Sequence, residues 1–410
     1  MPNTAMRFFS CCFSCVFFLA LSVTSVSAQG EKAYVLCEGA QDFYSGEVLE
    51  APRLGVVDLS METPEFSVLR VFDGHSFAVD LVLDGAGETI YVAAEDTVYK
   101  LDAASGSVLA EQALDGARQL LLHEDRLFVT RGDYDPMTFG SVEFDEYLVA
   151  LNAEDLTWNA GWQSDGIAGP NWASESLCLS GDAVYVGVNN AFAYGEEVGV
   201  IGRVDLFTGD YTEMDLGPEG LNPVHVFAAG DGAVVSVNAR QYDGTSLSRC
   251  ESDGAVLTAA VADVTAGCAA AAWHDGGVFY QVYGEAGFRK ADGATLDALE
   301  GWSGNGGAVY AMASLSEDRF LLGTTDFATT GILEMWDLSS GFQWDLPVGV
   351  APGRIVVAGS VTSSVPAVIS GPKELVATYD LMGRTQALGQ GLLLQQWSDG
   401  TVTKKFQLAD

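Results

Sequence analysis

The chain has 410 residues, with 56 Asp and Glu against 19 Lys and Arg and a formal net charge of −37. A field of that sign repels nucleic acid and anionic membrane surfaces, so neither is an expected partner. The acids are scattered rather than run together, which describes a solvated acidic surface and not a disordered tail.

The N-terminus comes first. Arg7 is the only charged residue before Glu31, and an apolar run densest from Val16 to Leu21 follows it. The run ends in Val26-Ser27-Ala28, small residues where a signal peptidase cuts. We therefore expect residues 1–28 to be a signal peptide removed after Ala28. No later stretch approaches the roughly 20 apolar residues a membrane span needs. The expected product is an exported monomer, at the cell surface or outside the cell, or periplasmic if its tail directs it no further. Four cysteines follow the leader, Cys37, Cys178, Cys250 and Cys268, with no CxxC spacing to suggest zinc or thioredoxin chemistry. Export permits disulfides. The spacing does not choose among the pairings, and buried free thiols are as good a reading.

From residue 29 to 359 the sequence is short β-branched and aromatic runs broken by Gly, Asp and Asn, with no helical period. That pattern is all-β. It also repeats. An apolar strand opens a unit near His75, and equivalent strands open units near Ala117, Pro170, Asn222, Ala266 and Gly307. Third strands recur likewise, as in VYKLDAASG at Val98 and GRVDLFTGD at Gly202. A period of this length suits a four-stranded propeller blade. The first unit, from Lys32, lacks an innermost strand, and one spare inner-type strand, Gly349–Gly359, comes last. Joining the two gives six complete blades and one composite blade, a closed ring of seven without an open edge. The opening YVLCEGAQ and closing VGVAPGRIVV resemble the corresponding segments of the quinoprotein-like or lactonase-like seven-bladed propellers of bacterial surfaces. The resemblance implies the fold. It leaves function open, because enzymes, binding proteins and scaffolds share that fold.

Residues 360–372 read as a Ser/Val/Pro linker and residues 373–410 as a few short strands. Tyr379, Asp380, Gly383 and Arg384, then Gly391, Lys404, Lys405 and Phe406, resemble the second half of a type IX secretion sorting domain. The leading strand of that domain is missing, and Leu393 stands where it has an aromatic. The resemblance implies a secretion machinery as partner. A small β appendage is the alternative.

No nucleophile elbow, zinc-helix motif, Walker loop or EF-hand loop is present, so no catalytic residue is expected. Asp133, Asp135 and Asp145, with Glu143 and Glu146, share one long loop that could supply part of a calcium shell. A solvated acidic loop is the simpler reading, and no other cofactor is indicated. His123 and His274 fall at rim turns and read as structural. His75 and His225 instead lie where inner strands begin, as do Arg118, Trp172, Glu175, Tyr310 and Arg354. Inner strands line the axis of a propeller, so these seven side chains are the expected ligand-binding set at one mouth of the channel. The long loops between second and third strands fall on that same face and carry Phe43, Tyr44, Tyr134, Phe139, Phe192 and Tyr194. We therefore expect a binding or interaction module for a polymer, peptide or surface partner. The alternative is a lactonase-like hydrolase or quinoprotein-type oxidoreductase working at the same mouth.

Overall fold

A computed structural model describes residues 31–42, 45–135, 137–138, 140–164, 168–240, 243–303, 308–316 and 318–358, and the backbone of three further strands between 375 and 407. The body is seven four-stranded antiparallel sheets arranged as a β-propeller. The innermost strands, from blade one to blade seven, are Pro352–Ala358, Asp80–Leu83, Ala117–His123, Ser174–Ser180, Pro223–Ala228, Ala271–His274 and Val309–Ser316.

Blade one is composite, as its missing strand requires. Lys32–Cys37 lies between Pro352–Ala358 and Arg53–Asp58, with Phe66–Val71 outermost. Tyr34 faces Val356 and Val35 faces Ile355 across the seam. The closing strand is shorter than the sequence suggests. Gly349 and Val350 end the outermost strand of blade seven, Gly341–Val350, and the chain turns at Ala351 with a left-handed φ of 52°. That turn is held by Glu38 N–H donating to Ala351 O at 2.8 Å.

Each blade buries both faces, so alternation sorts its residues between two neighbours. On one strand Ala33, Val35 and Cys37 pack against Leu321 and Leu333 of blade seven. The intervening Tyr34 and Leu36 pack against Leu81 and Ile90 of blade two. A cluster of this kind sits between every pair of adjacent blades. Part of the acidity has a local cause. Asp58, Asp102, Asp205, Asp292 and Asp337 close third-strand turns, each accepting backbone N–H groups two or three residues on. Serine hydroxyls, first at Asp58, Asp102 and Asp337, and these backbone bonds, first at Asp205 and Asp292, hold the carboxyls below the usual range, Asp337 at about 2.

Cys37, Cys178 and Cys250 are buried thiols, and Cys268 is exposed; none is in a disulfide. Burial pushes Cys37 and Cys250 up to about 12. His123 and His274 each end an inner strand. His274 is not at a wet rim: it is buried beside Phe320, with Nδ1 3.0 Å from Ser314 Oγ. Leu375–Tyr379, Gly391–Trp397 and Val402–Gln407 form a three-stranded antiparallel sheet with, among the described residues, no ladder to any blade. The signal segment, Asp380, Gly383 and Arg384 of the sorting pattern, and Phe43, Tyr44 and Phe139 lie outside the described residues.

Candidate functional site

The inner strands do not begin regularly. Register breaks fall between Ala117 and Leu120, Ser174 and Leu177, Pro223 and His225, and Val309 and Ala311. A fifth separates Leu36 from Cys37, opposite Gly353. A bulge turns side chains out of the pleat and frees a backbone N–H from the ladder. Both consequences are used here. The turned-out residues are Arg118, Glu175 and Tyr310, with His225 next to its break and still paired to Val237 and Arg354 beside the fifth break. The freed N–H groups are met by side chains of the preceding blade. Leu120 N–H donates to Asp80 Oδ2 at 2.7 Å, Val226 N–H to Ser176 Oγ at 2.9 Å, and Val309 N–H to Gln281 Oε1 at 2.9 Å.

The result is a polar ring at the mouth where the inner strands start. Arg118 donates through Nε and Nη2 to Glu175 Oε1, at 3.1 and 2.8 Å. Tyr310 donates its hydroxyl to Glu38 Oε1 at 2.8 Å. Gly353 makes room for this pair, since a Cβ there would lie 2.5 Å from that same oxygen. Asp80 is fully buried and also accepts Leu81 N–H. Its Oδ1 lies 2.8 Å from Arg354 Nε, whose N–H finds no aligned acceptor, and the Arg354 side chain is 42% exposed. His225 Nε2 lies 3.0 Å from Ala269 O, which fixes it as the donor nitrogen. Cys268 completes the circuit from blade six, within electrostatic reach of Glu175, Glu38 and Arg118.

These groups perturb one another. Burial, opposed by the Tyr310 hydrogen bond and the Arg118 charge, pushes Glu38 up to about 7. Burial also raises Asp80 against the pull of Arg354. Burial lowers His225, helped by the Arg354 charge and opposed by the Ala269 hydrogen bond. The loops on this face brace the ring. Phe192 lies under the Arg118 guanidinium at 5.1 Å, and Phe327 packs edge-on against Tyr310 at 4.8 Å.

Five of the seven expected residues are thus brought together: Arg118, Glu175, His225, Tyr310 and Arg354. Two are not. His75 packs beside Tyr99, with Nε2 2.8 Å from its hydroxyl and Nδ1 3.5 Å from Asp96. Trp172 faces a cleft walled by the loops of blades three and four. Asp80, Glu38 and Cys268 were not anticipated. Asp80 was detectable as the one charge inside the apolar run FAVDLVL. The calcium reading gains no support. Asp133 and Asp135 cap their own loop by accepting the N–H groups of Tyr134 and Met137. No acid, His and Cys grouping able to hold a metal occurs among the described residues.

The class defined by these sheets is a seven-bladed β-propeller with a polar axial mouth. No family model matches the sequence, and no curated protein does. Solved structures do. The computationally designed Ika8 protein has a TM-score of 0.50 at 17% identity, over 90% of this chain and 96% of that one. Dihydro-heme d1 dehydrogenase NirN, solved in complex with DHE, has 0.51 at 14% identity, over 79% and 74%. A functionally unknown protein from Desulfotomaculum acetoxidans has 0.53 at 11% identity, over 80% and 98%. Identities this low carry the fold alone.

Proposed function

We propose that this protein is an exported binding module that takes a carboxylate-bearing ligand at the axial mouth. One observation carries the reading: polar side chains from all seven blades meet there, and the Arg354 side chain, its buried Nε 2.8 Å from Asp80 Oδ1, remains 42% exposed. Arg118 is committed to Glu175 and builds the wall. Arg354 is paired with Asp80 through Nε, and the exposed remainder of its planar fork suits a carboxylate. The leader at 1–28 and the tail resembling a sorting domain support export to the surface.

The test is calorimetry of the mature protein against a panel of small carboxylates and carboxyl-terminal peptides, with Arg354→Lys as the variant. Lysine keeps a positive charge beside Asp80 but loses the fork. Affinity should fall at least fivefold with the urea midpoint unchanged. A shifted midpoint with unchanged affinity would make Arg354 a strut and nothing more.

Glu38 favours a second reading, a hydrolase. A carboxyl near 7 beside a tyrosine, in an axial cleft, suits a general acid or base at neutral pH. Turnover of a lactone or ester panel that vanishes in Glu38→Gln would favour it over simple binding.

A further inference from the structure

We infer a second ligand site, for a guanidinium- or ammonium-bearing peptide, in the cleft between the loops of blades three and four. The cleft has a volume of about 810 Å3 and is lined by Glu143, Asp145, Glu196, Asn190, Trp172 and Tyr194, with no Lys, Arg or His among the described residues of its wall. Trp172 and Tyr194 are 37% and 83% exposed, so their ring faces are reachable from solvent. Carboxylates beside aromatic faces are the surroundings in which an organic cation binds best, because both attract positive charge.

The same loops already hold cations of this kind. Arg131 stacks over Phe144, a residue of the cleft wall, at 4.1 Å. Arg118 stacks over Phe192, which belongs to the loop carrying Asn190, Tyr194 and Glu196. A separate observation also asks for positive charge. Glu197, next to the cleft-lining Glu196, is 5% exposed, and neither of its carboxylate oxygens has a hydrogen-bond partner. Leaving a buried carboxylate uncompensated is costly. An organic cation bound against Glu196 brings positive charge one residue away along the chain. The size of the cleft and its rings favour an arginine or lysine side chain over calcium, which needs six or more converging oxygens. The site is independent of Arg354, so a peptide with a basic residue and a free carboxylate could engage the cleft and the mouth together.

Calorimetry on the mature chain decides the matter, with tri-arginine amide, tri-lysine amide, a neutral oligosaccharide and calcium chloride as probes. The basic peptides should bind one to one. Trp172→Ala and Glu196→Gln should each weaken them at least fivefold. Glu62→Gln, an acid in an exposed turn between the third and fourth strands of blade one, should change nothing. Arg354→Lys should also leave this binding intact, which separates the site from the mouth. Equal weakening by Glu62→Gln would reduce the binding to general attraction by an acidic surface and overturn the proposal. Binding of the oligosaccharide or of calcium in place of the peptides would overturn it as well.

Discussion

Glu38 makes folding pH-dependent in a way that one substitution isolates. Its carboxyl moves from an ordinary 4.5 to about 7 in the folded ring. Between those values the unfolded chain releases the proton while the folded chain keeps it. Stability from this group is therefore fully present at low pH, falls as pH rises through the window, and levels off above about 7. At about 1.4 kcal/mol per pH unit, the loss is at most about 3 kcal/mol, less where solvent reaches the mouth. Glu38→Gln is neutral throughout, and its amide oxygen still accepts the Tyr310 hydroxyl. Urea unfolding of both proteins at pH 5, 6, 7 and 8 gives the comparison. At pH 5 the variant should lead by only about 1 kcal/mol, because the unfolded carboxyl has begun to release its proton. By pH 8 the variant should lead by up to about 3 kcal/mol, because slopes from distant groups cancel in the difference. Parallel stability curves would refute a raised Glu38, and with it the charge balance assigned to the mouth.

Ring closure predicts that truncation after Val350 is far more damaging than truncation after Ala358. The lost strand buries Ile355, Val356 and Val357, about 1.5–3 kcal/mol each, against a typical total stability of about 5–15 kcal/mol. A circular permutant carrying 351–358 ahead of Glu31 should restore the fold, since Lys32 already pairs with Ala358; a permutant no more stable than the truncation would contradict the composite blade. Asp80→Ala should cost about 3 kcal/mol in urea midpoint measurements, because it strips acceptors from two N–H groups and a partner from Arg354. Asp80→Asn, which keeps one acceptor, should cost less, and equal losses would argue against the hydrogen bonds. Removing residues 359–410 should leave the unfolding curve intact and change where the protein accumulates in fractionated cultures. Unchanged distribution would return the tail to the status of an appendage.

The propeller was legible because its physics is repetitive. Each blade needs inner residues that alternate between two buried faces, so the pattern in FAVDLVLD returns in LLLHEDRLFV and FLLGT. Closure was legible for the same reason, as a surplus strand at one end matching a deficit at the other. The boundary at Gly349 was misplaced by three residues because strand and turn there are both small and apolar. Only the left-handed φ at Ala351 separates them, and no residue type announces it in an alanine.

The mouth was half legible, and the misses share a cause. Position along the chain predicted which residues stand near the start of an inner strand, but not which of them the backbone aims at the axis. Arg118, Glu175, His225 and Tyr310 sit at bulges inside their strands, so the pleat itself delivers them. Trp172 precedes its strand by two residues and His75 by five, in connecting loops where one lines a cleft and the other packs on Tyr99. Asp80 was passed over because a charge in an apolar strand looks like an interruption. Its carboxylate is instead the acceptor for the N–H that the next blade's bulge leaves free. A propeller that bulges its inner strands to face polar groups inward must supply such acceptors from blade to blade. Polar residues at the starts of otherwise apolar inner strands are therefore where the axial site should be sought in sequences of this architecture.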